Sequence, residues 1–278
     1  MNLKKMIAAA TAIIAVFAVA ATAYAATTVV HPGDMQGWGF LQETATGTGT
    51  MVAGPGIPPM GNGSANLIVD STGGIVLAKA DYAGLPLTNI DALQYSTYRA
   101  VGSSALAIAL QFNFDGDVTD ANNAFQGRIV YEPYHTQTVN TGVWQTWDAL
   151  DDAAGTATGN WWGSSNANST LDDTCPQANP CTWAEVLAAF PNGGVHNTLG
   201  AVILKAGGGW TGGFDGNVDA LTVNDDVYDF ELNEPATTPV SKDECKNGGW
   251  MSFNSPTFRN QGQCVSYVQS NEKAGKRN

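Results

Sequence analysis

Alternation of apolar and polar positions with a period of two runs through most of the chain. It is strictest over Ala105–Asp115. There Leu106, Ile108, Leu110, Phe112 and Phe114 fall on one face, and Ala107, Ala109, Gln111, Asn113 and Asp115 on the other. Five repeats of that kind describe a strand with one face in a core. Shorter runs predict further strands at Met35–Gln42, Gly49–Ala53, Ala65–Asp70, Ile75–Ala80, Ala92–Arg99, Gln126–Tyr134, Gly142–Trp147, Leu199–Lys205, Val218–Val223 and Tyr228–Leu232. Gly, Asn, Asp and Pro punctuate them every ~8–15 residues, the spacing of a sandwich or barrel. The one helical pattern is Thr182–Phe190: Thr182 can cap it, Glu185 follows three residues on, and Pro191 stops it.

The alternation defines a β body over residues 26–232. It fades at Leu232, and 233–243, with two prolines and no apolar period, reads as a linker. Residues 244–278 then read as a small module closed by a cystine. At the other end, Lys4 and Lys5 precede an uncharged stretch rich in Ala, Ile and Val, and Ala23-Tyr24-Ala25 offers small residues to a signal peptidase. Residues 1–25 are therefore expected to be a secretory signal peptide, with no transmembrane segment left after processing and a secreted, extracellular mature chain.

Without those residues the chain carries 10 Lys and Arg against 25 Asp and Glu, a formal charge of −15. The body holds −18 of it and the tail from Lys242 onward is +3. An acidic body repels phosphate backbones and anionic lipid heads, so nucleic acid and membrane surface are poor partners; neutral sugars and hard cations suit it. The four cysteines form two close pairs, Cys175/Cys181 and Cys245/Cys264. Their even number, local spacing and the export signal favour two disulfides over zinc, for which CxxC is missing and His is scarce.

Several phrases resemble a secreted bacterial β-sandwich domain. They are Gly54-Pro55-Gly56 followed by Pro58-Pro59 and Gly63-Ser64-Ala65; Leu93-Gln94-Tyr95-Ser96-Thr97-Tyr98; the Asp-rich turn from Asp115 to Asp120; Val130-Tyr131-Glu132-Pro133; Trp144-Gln145-Thr146-Trp147-Asp148; and Gly209-Trp210 with Gly216-Asn217-Val218-Asp219-Ala220. The resemblance implies an all-β jelly-roll β-sandwich of the galactose-binding or carbohydrate-binding-module type, with one short helix. The tail, Cys245-Lys246-Asn247-Gly248-Gly249-Trp250 with Phe258-Arg259-Asn260-Gln261-Gly262-Gln263-Cys264-Val265, resembles a short C-terminal module of exported bacterial proteins. Neither resemblance implies a catalytic residue.

Three groups of residues are candidates for chemistry. In the turn Asp115-Gly116-Asp117-Val118-Thr119-Asp120-Ala121-Asn122, the side-chain oxygens of Asp115, Asp117, Asp120 and Asn122 could wrap Ca²⁺, which takes six to eight oxygens. The same residues also make an ordinary acidic hairpin turn. Aromatic faces form the second group, because a Trp ring stacks on the apolar face of a pyranose. Trp161 and Trp162, in a stretch that reads as loop, and Trp210, among Gly207–Gly213, are the ligand candidates. Trp144 and Trp147 are three apart and must point to opposite faces of a strand, one to a core and one outward. Thirdly, Asp219 shares a face with Leu221 and Val223. If that face is the core, its carboxylate needs a cation, Arg128 or backbone donors.

Enzyme signatures are absent: there is no Gly-x-Ser-x-Gly elbow, His-Glu-x-x-His or phosphate loop. Asn233-Glu234-Pro235 resembles a barrel-glycosidase motif but lies in the linker. Glu132 with His135 is the least poor acid/base pair. The sequence thus predicts a non-catalytic binding or surface-attachment protein for glycan or cell-wall polysaccharide, with a calcium ion holding a loop. A glycoside hydrolase or polysaccharide lyase on the same fold, and a structural matrix or envelope protein, are the alternatives.

Overall fold

The structure is a computed structural model, and it describes residues 27–44, 46–150, 159–164 and 169–274. The signal-peptide reading of residues 1–25 lies outside the described residues. In chain order the strands are β1 (Thr27–Val30), β2 (Gly39–Thr44), β3 (Thr48–Ala53), β4 (Gly63–Val69), β5 (Gly74–Lys79), β6 (Leu93–Val101), β7 (Ala109–Asp115), β8 (Arg128–Tyr131), β9 (Trp144–Asp148), β10 (Trp161–Ser164), β11 (Gly194–Val195), β12 (Val202–Gly207), β13 (Phe214–Val223) and β14 (Asp226–Phe230). They form two sheets. The front sheet runs β10-β8-β7-β12-β5-β2, with β11 beside β7; the back sheet runs β1-β14-β13-β4-β3, with β6 joining β13 to β9. Apart from the parallel β1–β14 pair, the pairings between strands are antiparallel.

The sheets close on one core, as expected of a jelly-roll β-sandwich. The front sheet gives Leu110, Phe112, Phe114, Leu77 and Leu204, with Ile108 just before β7; the back sheet gives Leu67, Tyr95, Trp147, Val218, Leu221 and Phe230. The alternation over 105–115 is therefore the true inward face, although the strand itself begins at Ala109. Trp147 is buried and its indole donates to Thr97 Oγ1 at 2.8 Å, while Trp144 is half-buried against Tyr98. The predicted helix is α2, Trp183–Ala189, capped by Thr182 with Glu185 closing a reciprocal pair of bonds.

Two further helices were not legible. Helix α1, Ser169–Thr174, packs on β10. Helix α3, Gln261–Ala274, lies within the cystine module, and its Cys264 and Val268 are buried against Trp250, Phe253 and Phe258. Both disulfides are formed, Cys175–Cys181 and Cys245–Cys264. Part of the linker is bound to this C-terminal module: Thr237 carbonyl accepts from Ser255 N–H at 3.2 Å and Pro235 carbonyl from Asn254 Nδ2 at 2.9 Å. Among the described residues no helix is long and apolar enough to cross a membrane.

Asp219 finds backbone donors, and Arg128 pairs with Glu43 instead. Its Oδ1 accepts from Phe230 N–H and its Oδ2 from Met60 N–H, each at 3.0 Å, tying the 54–62 loop to β13 and β14. A break in the β13–β6 register follows it, with Ala220 at φ +53°. Burial pushes the Asp219 carboxyl up to about 7 against the pull of these donors, and the nearby Asp229 adds to the rise. A carboxyl raised on folding stabilises the folded state fully below its unfolded value and ceases to do so as pH rises through its folded one. Between pH 5 and 8 the wild-type chain should therefore lose stability relative to D219N, by roughly 4 kcal/mol at most over the whole titration. Urea unfolding across that range reads the difference, and parallel curves for the two proteins would contradict it.

Candidate functional site

The outward face of the front sheet is built by the same alternation that builds the core. On β7, Leu110 and Phe112 point inward, so Ala109, Gln111 and Asn113 point out. On β8 and β12, Arg128, Val130, Ile203 and Lys205 are outward by the same parity. Lateral pairing sets Trp162 beside Val130, Val130 beside Gln111, and Gln111 beside Ile203. A cavity of about 170 Å³ opens on this face. One wall carries Trp162, Glu132, Ser164 and Gln177; the other carries Lys205, the glycine run 207–209 and Trp210; Ala109 and Gln111 lie between them.

Of the ligand candidates, Trp162 and Trp210 are brought together at this cavity and Trp161 is not. Trp161 is fully buried; its indole donates to Ala149 carbonyl at 2.9 Å, and its ring stacks on Phe112 and leans on Trp183. The stretch expected to be loop is strand β10, and on a strand adjacent tryptophans face opposite ways. Trp162 is therefore the outward one. Its Nε1 donates to Glu132 Oε2 at 2.9 Å. Trp210 is set by Gly207, Gly208 and Gly209, all at positive φ (85°, 81° and 96°), a run that residues with a Cβ rarely adopt. At Gly207 a Cβ would also meet Gly73 carbonyl at 2.2 Å. The Trp210 ring rests edge-on against Phe214, 4.9 Å between centroids.

Glu132 is almost wholly buried and its carboxyl is the hub of its wall. Burial raises its pKa, and hydrogen bonds from Trp162, Gln177 and Tyr134 oppose the rise. His135 Nε2 lies 3.8 Å from Glu132 Oε2, is buried, and has no hydrogen-bond partner among the described residues; burial keeps the imidazole toward its neutral form. Among the described residues Glu132 is the one carboxylate that lines the cavity.

The same face carries an ion cluster. Glu43 bridges Arg128 and Lys205, 2.6 Å to each. Burial alone would raise Glu43; the two cations outweigh it and hold the carboxyl below the usual range. Gln111 was legible as the polar partner of a strict alternation. Glu43, Lys205 and Gln177 carried no local signal, since only strand pairing and the cystine loop bring them here.

The Asp115–Asn122 turn lies elsewhere and is laced by its own bonds. Asp117 Oδ1 accepts from Thr119 N–H, Asp120 Oδ1 from Asn122 N–H, and Asn122 Oδ1 from Ala124 N–H. Asp115 is buried, and its Oδ2 has no hydrogen-bond partner among the described residues. Among the described residues no group of three or more His, Cys, Asp or Glu is placed to hold a metal ion.

No family model matches the chain, and no curated protein does. Solved structures do. The family 11 carbohydrate-binding module of the cellulosomal cellulase Lic26A-Cel5E of Clostridium thermocellum is 9% identical, over 71% of this chain and 91% of that one, with a TM-score of 0.33. The Clostridium thermocellum family 11 module in complex with a β-1,3-1,4-mixed-linked tetrasaccharide gives the same values. A structure described in a study of promiscuous specificity among carbohydrate-binding modules of the β-sandwich superfamily is 11% identical, over 66% of this chain and 56% of that one, with a TM-score of 0.25. At these identities and TM-scores the likeness carries no argument, and the ligand is argued from the site alone.

The two adjacent tryptophans should separate stability from binding. Trp161→Ala is expected to cost about 3–5 kcal/mol by emptying a core site, and Trp162→Ala about 1 kcal/mol or less. Equal losses for the two in urea unfolding would contradict the assignment of their faces.

Proposed function

We propose that this is a non-catalytic carbohydrate-binding protein whose ligand lies on the outward face of the front sheet. The observation that carries the reading is the meeting of Trp162 and Trp210, remote in sequence, at one cavity rich in amide, hydroxyl and charged groups. Stacking surfaces with a few convergent polar groups suit a sugar, which offers an apolar ring face and a rim of hydroxyls. The lining carboxylate of Glu132 is engaged by the Trp162 indole, an arrangement that supports a binding role for it. The two disulfides fit an oxidising compartment, and with the signal peptide expected of residues 1–25 they support a secreted protein acting on extracellular or cell-wall glycan. The cystine module is proposed as a separate attachment element.

Calcium at the Asp115–Asn122 turn is a second part of the proposal, supported by the buried, unpartnered Oδ2 of Asp115. The remaining oxygens of Asp117, Asp120 and Asn122 would have to complete the shell with carbonyls and water. Calcium chloride is then expected to raise the melting temperature over that in EDTA, and D115N to abolish the rise; no rise in the wild type would remove the ion.

The glycan reading is checked on an array of cellulose, mixed-linkage glucan, xylan, mannan and peptidoglycan fragments. The wild type should bind at least one class. W162A and W210A should each weaken that binding about tenfold or more, which is about 1.4 kcal/mol. Absence of wild-type binding to every class would overturn the reading.

A further inference from the structure

The wall that carries Trp162 is held from two sides. Strand β10 ends the front sheet, and β8 pairs with one of its edges. The cystine loop Cys175–Cys181 covers the other. Gly163 N–H donates to Cys175 carbonyl at 2.8 Å, Trp161 N–H to Cys181 carbonyl at 3.0 Å, and Cys181 N–H back to Trp161 carbonyl at 2.7 Å. The two ends of the loop thus take up the open edge of β10, Cys181 as a single antiparallel bridge, with the disulfide closing a separation of six residues. From within it Gln177 reaches the cavity, and its Nε2 lies 3.5 Å from Glu132 Oε2, the same oxygen that receives the Trp162 indole. One carboxylate oxygen therefore joins the cystine loop to the aromatic platform.

We propose that the Cys175–Cys181 loop is a wall of the ligand site. Gln177 contacts the sugar, Glu132 is a positioning residue that fixes the Trp162 ring, and the disulfide sets the affinity by holding both in place. The proposal rests on the carbohydrate reading. Its physical basis is preorganisation: an amide offers donors and an acceptor to adjacent hydroxyls, and a ring already fixed loses less freedom on binding. Opening the cystine would loosen the hold of the loop on the β10 edge; Cys175 and Cys181 are themselves buried in the core, so melting is read beside binding.

The test compares wild type, C175S/C181S, Q177A, E132A and E132Q on the glycan array above, alongside thermal melting. Acrylamide quenching of Trp162 is read as the difference from the matching W162F proteins. C175S/C181S should melt cooperatively, bind the wild type's glycans about tenfold more weakly, and expose Trp162 to the quencher. Q177A should weaken binding about fivefold with its melting temperature unchanged. E132A should weaken it about tenfold, and E132Q, whose amide oxygen still accepts from the indole, should restore most of the loss. A folded C175S/C181S protein with wild-type affinity and wild-type quenching would overturn the proposal. If C175S/C181S does not fold, unchanged affinity of Q177A together with unchanged quenching of Trp162 in E132A overturns it. If the wild type binds no glycan, the functional reading fails separately; the quenching arm still decides whether the loop clamps Trp162.

Discussion

Trp161 is sealed in the core between Phe112, Tyr131 and Trp183, with its indole N–H satisfied by Ala149. Each such aromatic pair adds about 0.5–1.5 kcal/mol to the area that the ring buries. A strand with one tryptophan fixed inward has no choice about the next. Trp162 is turned to the outward face, against Glu132 and over the cavity, and a slip of one residue would exchange the two rings. The position of the binding platform is in this sense set by the interior, and the pairing of β10 with β8 on one edge and the cystine loop on the other keeps the register.

The electrostatics of the body follow a similar economy. Four basic residues serve the β body against its many acids. Lys79 pairs with Asp81, and Arg99 is buried among the carbonyls of Ser103, Leu106 and Val139. The other two, Arg128 and Lys205, share Glu43 on the outward face of the front sheet. That face is thus less acidic than its surroundings and rich in fixed hydrogen-bonding groups, an arrangement suited to reading hydroxyls.

Most of the fold was legible because a half-buried strand writes its orientation into a period of two. The faces of β7 and the opposed Trp144 and Trp147 could be read that way, and the cap of α2 from the spacing of Thr182 and Glu185. Strand β10 could not, because Gly159, Asn160, Gly163 and Ser164 around its tryptophans are turn formers, and what makes it a strand is pairing with residues some thirty positions before it and twenty after. The reasoning that split Trp144 from Trp147 would have split Trp161 from Trp162 had the strand been known. Asp219 shows the opposite case. Its apolar neighbours demanded a partner, but only the folded chain could choose the backbone N–H groups of Met60 and Phe230. Gln177 was hidden most completely, in a loop that the sequence marks only by its cysteines.

The central claim is that sugar is held between Trp162 and Trp210 on the front sheet. The most direct measurement follows the indole N–H signals of the ¹⁵N-labelled protein while mixed-linkage glucan, xylan and mannan oligosaccharides are added. The account predicts that the Trp162 and Trp210 signals move with saturable, common dependence on one of these oligosaccharides, while those of buried Trp147 and Trp161 stay in place. Saturable binding that leaves Trp162 and Trp210 unmoved, or that shifts signals of the C-terminal module such as Trp250 instead, would contradict it.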